Sequence, residues 1–135
     1  MKKELEIEQK VILASDLTTP LEILQELYKE HDWRIDWALA ANPNTPIEIL
    51  EEFYNSGDIY LLKRMASNLG ASPKILTKLS VDTRFEVYEA LLRNINAPIS
   101  ALLNVVKNGD KYSKERAQKM INIKLSELYK LWEEE

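Results

Sequence analysis

The chain contains no cysteine. That excludes disulfides, thiolate metal sites, iron–sulfur clusters and cysteine nucleophiles. It contains one histidine, His31, which is too few for a histidine-rich metal centre. Glycine is scarce at three residues and proline at five, so a turn-rich β-sandwich is excluded and so is a disordered composition. No apolar run approaches the length of a membrane span. Acidic residues interrupt the apolar ones over Met1–Glu8, which leaves no hydrophobic core for a signal peptide. There is no excess of positive charge either. The net charge of −4 gives no overall sign of a nucleic-acid binder. The 135 residues that remain read as one domain, residues 1–135, expected to be soluble and cytoplasmic with no membrane partner.

What is present is a repeat of 26 residues. Leucines recur at Leu24, Leu50, Leu76, Leu102 and Leu128. A second ladder runs Leu27, Phe53, Leu79, Val105, Leu131, and a third Leu21, Ile47, Pro73, Ile99, Leu125. Others are Leu13, Leu39, Met65, Leu91, Ala117 and Leu17, Pro43, Leu69, Ile95, Ile121. Asparagines fall in step at Asn42, Asn68 and Asn94. A fixed period of this length marks stacked supersecondary units.

Each unit reads as two short helices, A and B. Thr45-Pro46-Ile47-Glu48 and Thr19-Pro20-Leu21-Glu22 are expected to be capping boxes at the start of A. Ser72-Pro73 and Ala97-Pro98 are weaker versions; the third either sits one residue early or its repeat carries a compensating slip, since Pro73 falls on the Ile47 ladder. In the unit over residues 46–68, A is expected to bury Ile47, Leu50, Phe53 and Tyr54, at helical spacing. Asn55-Ser56-Gly57-Asp58 reads as the A–B turn, with positive φ at Gly57 and a cap from Asp58. Asn108-Gly109-Asp110 and His31-Asp32 occupy the same places. Helix B, roughly 59–67, is expected to bury Ile59, Leu61, Met65 and Ala66. Residues 4–17 carry only a B pattern, through Ile7, Leu13, Ala14 and Leu17. Residues 124–134 carry only an A pattern, through Leu125, Leu128, Leu131 and Trp132. These predict half-repeat caps, with charged ends at Lys2, Lys3, Glu4, Glu6 and Glu8 and at Glu133–Glu135. The expected fold is all-α: an α-solenoid of about four 26-residue two-helix repeats bracketed by half-repeats.

The segment Trp37-Ala38-Leu39-Ala40-Ala41-Asn42-Pro43-Asn44-Thr45-Pro46-Ile47-Glu48-Ile49-Leu50 resembles the signature of the leucine-rich repeat variant family. A partial copy begins at Leu13 and degenerate copies at Asn68 and Asn94, and together they cover roughly residues 12–122. The resemblance implies a right-handed superhelix of short paired helices, akin to HEAT-like solenoids, with one layer open to 3₁₀ geometry. The iron–sulfur segment of some members cannot carry over to a chain without cysteine. A family of this kind specifies no chemistry.

The chain has no Gly-rich phosphate loop, no Gly-x-Ser-x-Gly and no His-Glu-x-x-His. His31, flanked by Glu30 and Asp32, could act in acid–base chemistry, but its ladder position makes it a turn residue. Glu48, Glu51 and Glu52 read as a solvated face. The asparagine ladder either reads a peptide backbone or closes the B helices and bonds turn carbonyls; the Asn42-Pro43 pair favours the latter. No enzyme, cofactor or metal is expected.

The outward row of B carries more information. It runs Arg34, Trp37, Ala41; Tyr60, Lys63, Ser67; Glu86, Glu89, Arg93; Tyr112, Glu115, Lys119, bordered by Arg64 and Arg116. Aromatics and arginines are the types enriched at interface hot spots. Trp37 either contacts a partner or packs on the N-terminal half-repeat through Val11. The expected function is protein or peptide binding by Arg34, Trp37, Tyr60, Lys63, Arg64, Arg93, Tyr112, Arg116 and Lys119. Charge supplies the alternative. Residues 1–60 hold 5 Lys/Arg against 13 Asp/Glu, net −8, and residues 61–135 hold 13 against 9, net +4. The basic half could take nucleic acid or phosphate through Lys63, Arg64, Arg93, Arg116 and Lys119. Glu22, Glu48, Lys74 and Glu26, Glu52, Lys78 are expected to pair across repeats.

Overall fold

In a computed structural model the chain is all-α, and residues 4–134 are described. Lys2, Lys3 and Glu135, expected in the caps, lie outside the described residues. Nine helices occur among the described residues: α1 (Ile7–Ser15), α2 (Leu21–Tyr28), α3 (Trp33–Ala41), α4 (Ile47–Ser56), α5 (Ile59–Ala66), α6 (Pro73–Leu79), α7 (Phe85–Leu92), α8 (Ile99–Asn108) and α9 (Lys111–Glu133). All are α, so no 3₁₀ layer forms there.

The A helices α2, α4, α6 and α8 begin at residues 21, 47, 73 and 99, and the B helices α3, α5, α7 and α9 at 33, 59, 85 and 111. Each start falls 26 residues after the last, and the third unit has no slip. The B helices pack in succession from α1 to α9, and α4, α6 and α8 do the same on the A side. Helices of 7–10 residues are marginal alone, so this lateral packing is what holds them. The core runs along the A–B seam. Leu24, Leu50, Leu76 and Leu102 are buried on one ladder, and Leu39, Met65, Leu91 and Ala117 on another.

Asparagine supplies the polar joint between units. The side-chain amide of Asn68 donates to the carbonyls of Ala40 (2.9 Å) and Asn42 (3.0 Å), and its Oδ1 accepts from the Gly70 amide (2.8 Å). Asn42 donates to Ala14 and Asp16, and Asn94 to Ala66 and Asn68, in the same geometry. All three are buried. Each rung reaches the carbonyls at the end of the preceding B helix, adding a second donor to those of Asp16, Asn42 and Asn68, which already accept from the Thr19, Thr45 and Ala71 amides.

Several expectations are corrected. Thr19 and Thr45 form no capping boxes. Pro20 and Pro46 are the N-caps, which places each threonine one residue too early. Their hydroxyls instead donate to the Leu13 and Leu39 carbonyls, both at 2.6 Å. Ser72, the weaker candidate, does cap α6 by accepting from the Ile75 amide. In α4, Ile49 is buried where Ile47 was expected, and Tyr54 is half-buried. In α5, Leu62 is buried and Ile59 only half. Leu17, Leu69 and Ile95 point outward. Gly57 (φ +70°) and His31 (φ +54°) take the left-handed turn, and Asp58 and Asp32 cap the helices that follow. Gly109 sits in the same place with φ −77°, while Asp110 still caps.

The largest departure is α9. A B helix and a separate A-type cap were expected, and one continuous 23-residue helix is found. The terminators are missing: the position of Asn42, Asn68 and Asn94 is Met120, that of Thr45 is Ile123, and that of Pro20, Pro46 and Pro98 is Lys124. With no asparagine to close the turn and no proline to forbid it, the helix propagates. Ile121 is buried, and Lys124 donates to the Ile95 carbonyl (3.1 Å). Leu125, Leu128, Leu131 and Trp132 beyond it are exposed rather than forming a capping half-repeat.

No helix among the described residues is long and apolar enough to cross a membrane.

Candidate binding groove

The outward sides of α5, α7 and the start of α9 enclose a groove of about 880 Å³. Tyr60 and Arg64 come from α5, Phe85 and Arg93 from α7 and its C-cap, and Tyr112 from α9. The aspartate caps set these positions. Asp58 accepts from the Tyr60 amide (2.8 Å) and Asp110 from the Ser113 amide (3.0 Å), which fixes the first turns on which Tyr60 and Tyr112 stand. The bond from the Ser113 amide holds the Asp110 carboxyl below its usual range. Each tyrosine is about half exposed.

Two aromatic walls result. On one side Trp33 packs edge-on to Trp37 (4.8 Å between centroids), and Trp37 lies against Tyr60 (5.3 Å). The Arg64 guanidinium sits 5.0 Å over the Trp37 ring. On the other side Phe85 meets Tyr112 at 6.5 Å, and Arg116 sits 5.3 Å over Tyr112. Between the walls Glu89 accepts from Arg116 (2.7 Å) and faces Arg93 at 3.4 Å. Glu86 adds a second carboxylate to the lining. The groove therefore combines apolar rings with charges of both signs.

The structure brings together five of the nine residues expected from sequence: Tyr60, Lys63, Arg64, Arg93 and Tyr112. Trp37 and Arg116 back the groove through ring contacts. Trp37 is half-buried and packed on the core, and it also lies against Tyr60. Arg34 is turned to its own cap, bonded bidentately to Asp32. That bond holds the Asp32 carboxyl low and the guanidinium high. Lys119 is exposed and lies outside the groove lining. Sequence reading missed Trp33 and Phe85. They share a ladder position, the first residue of B, and an aromatic recurring there was the available signal.

The other singled-out residues have structural partners. His31 packs edge-on to Tyr28. Glu52 accepts from the Tyr28 hydroxyl, which with burial pushes that hydroxyl up to about 12. Lys74 pairs with Glu51 (3.7 Å) rather than the expected Glu48, and Lys78 lies over the Tyr54 ring instead of meeting Glu52. The asparagine ladder is spent on the carbonyls of the preceding unit and offers nothing to a ligand backbone.

No protein-family model, curated protein or solved structure matches the chain.

Proposed function

We propose that the chain is a non-enzymatic scaffold that binds a protein or an extended peptide in the α5–α7–α9 groove. We read its helices as a right-handed solenoid of 26-residue units of the leucine-rich repeat variant kind, working in the cytoplasm. The unit-by-unit spacing of the helix starts and the buried asparagine rungs support that reading. The observation that carries the function is the exposure of Tyr60, Phe85 and Tyr112 around a cleft that also holds Lys63, Arg64 and Arg93. Exposed rings beside arginine are costly to leave in water and effective in an interface. A peptide with apolar side chains and an acidic residue would use both features.

Binding of nucleic acid or phosphate is the weaker reading. Arg93 and Arg116 are already turned to Glu89, and Glu86 would face any phosphate entering the groove.

The test is selection from a random peptide library against the full chain, with a single-stranded RNA oligonucleotide as the competing probe. Enriched peptides should bind Tyr60→Ala or Phe85→Ala at least about tenfold more weakly, ~1.4 kcal/mol. Peptides indifferent to both substitutions would overturn the proposal. So would RNA binding that falls steeply between about 50 and 200 mM salt.

A further inference from the structure

A second surface, away from the groove, lies on the A side at α8, where Leu103 is exposed. Successive A helices touch through a repeated offset. Glu51 pairs with Lys74 (3.7 Å) and Thr77 bonds Ser100 (2.9 Å), both 23 residues apart. Tyr28 with Glu52, Tyr54 with the Lys78 carbonyl (3.4 Å) and Asn104 with Ser80 (2.8 Å) are 24 apart. Each A helix thus presents one edge to the next. The edge of α8 presents Leu103, which is exposed, at the place where Glu51 and Thr77 are polar and paired.

The residues that would follow are in the chain but in the wrong place. Leu128 stands on the ladder of Leu24, Leu50, Leu76 and Leu102, and Leu131 on that of Leu27, Phe53, Leu79 and Val105. All eight earlier members are buried, whereas Leu128 and Leu131 are 56% and 62% exposed. They lie on the α9 extension because Met120, Ile123 and Lys124 replace the residues that end every earlier B helix. Nothing between α9 and its extension allows the tight reversal that would bring them to their own α8. The unbroken α9 therefore carries an A-type register past its own α8.

We propose that the α9 extension of a second copy of this chain docks beside α8. Its Leu128 and Leu131 take the place of a fifth A helix there, and the contact is made reciprocally in a symmetric dimer. The inference goes beyond the groove reading and does not depend on it.

The cysteine-free chain makes the test direct. The offset of 23 places Ser126 of one copy against Leu103 of the other, the spacing at which Thr77 and Ser100 already bring short side chains into contact. Leu103→Cys and Ser126→Cys, both at exposed sites, are purified separately, mixed and mildly oxidised. The expected product is a covalent heterodimer of one copy of each. Adding Leu128→Glu to the Ser126→Cys chain should abolish that product, and Leu128→Glu alone should convert a light-scattering dimer to monomer with unchanged helicity. A monomeric internal disulfide in a chain carrying both Leu103→Cys and Ser126→Cys would overturn the proposal, since the extension would then fold onto its own α8. Predominant Ser126→Cys homodimers would overturn it, as would a monomeric parent chain at all concentrations.

Discussion

The Asn68 side chain donates to the backbone carbonyl of Asn42, its counterpart one period earlier, at 3.0 Å. One side chain therefore closes its own turn and ties two units together. Asn68→Ala would take the side-chain partner from the Ala40 carbonyl and the Gly70 amide, and would leave the Asn42 carbonyl with the Thr45 amide alone, in a buried site. The expected cost is about 1–3 kcal/mol in urea unfolding. Asn68→Asp should cost more, because a carboxylate cannot donate and would face two carbonyl oxygens. Equal stability of all three chains would remove the rung from the account.

Gly57 and Gly70 are glycines for different reasons, and substitution separates them. Gly57 has φ +70° and open space at its missing Cβ. Gly57→Ala should cost about 1–2 kcal/mol from left-handed backbone alone, and Gly57→Asn should recover most of it. A Cβ on Gly70 would lie 2.2 Å from the Pro43 carbonyl oxygen. Gly70→Ala should cost about 1–3 kcal/mol, and Gly70→Asn should not recover stability even though Asn44 and Asn96 hold the same ladder position. Thermal melts of the four variants decide this.

Asp36 predicts a pH dependence. It sits on the ladder of the buried Leu62 and Tyr88, and its Oδ1 is buried with no hydrogen-bond partner among the described residues. Burial raises its carboxyl to about 6; His31 opposes the rise and Asp32 adds to it. The unfolded value is about 3.9. A group raised on folding contributes stability that is full below the unfolded value and is lost as pH rises through the folded one. Asp36→Asn should therefore raise the melting temperature at pH ~7.5, and the gain should disappear by pH ~4. A gain independent of pH would contradict the assignment.

Binding and stability should be separable. Tyr60 and Phe85 are half exposed and each meets one neighbouring ring, so alanine at either should cost about 0.5–1.5 kcal/mol. Leu76 is fully buried in mid-stack, and Leu76→Ala should cost about 2–5 kcal/mol. Calorimetry of the three variants checks both statements.

Much of this architecture is legible in the sequence because a period of 26 repeats every local decision. The 26-residue spacing of the helices, the aspartate caps and the left-handed turns at His31 and Gly57 follow from it, although the A helices begin one residue later than their threonines imply. So does the outward row that supplies Tyr60, Arg93 and Tyr112. The rest was hidden for identifiable reasons. A threonine hydroxyl can donate as well as accept, so Thr45 looks like a cap in sequence and acts as a tie to Leu39 in space. Apolar spacing marks Leu128 and Leu131 as core, yet spacing alone cannot say where a helix stops. The absence of asparagine at Met120 and of proline at Lys124 carried that information. Phe85 was missed because the outward row was read from three positions per helix, and the first residue of B adds a fourth.

The most direct test of the groove is amide chemical-shift mapping of the labelled full chain with a library-selected peptide. The account predicts that shifts concentrate on α5, α7 and the first turns of α9, centred on Tyr60, Arg64, Phe85, Arg93 and Tyr112, with α4, α6 and α8 quiet. Shifts concentrated on the A helices, or none at saturating peptide, would contradict it.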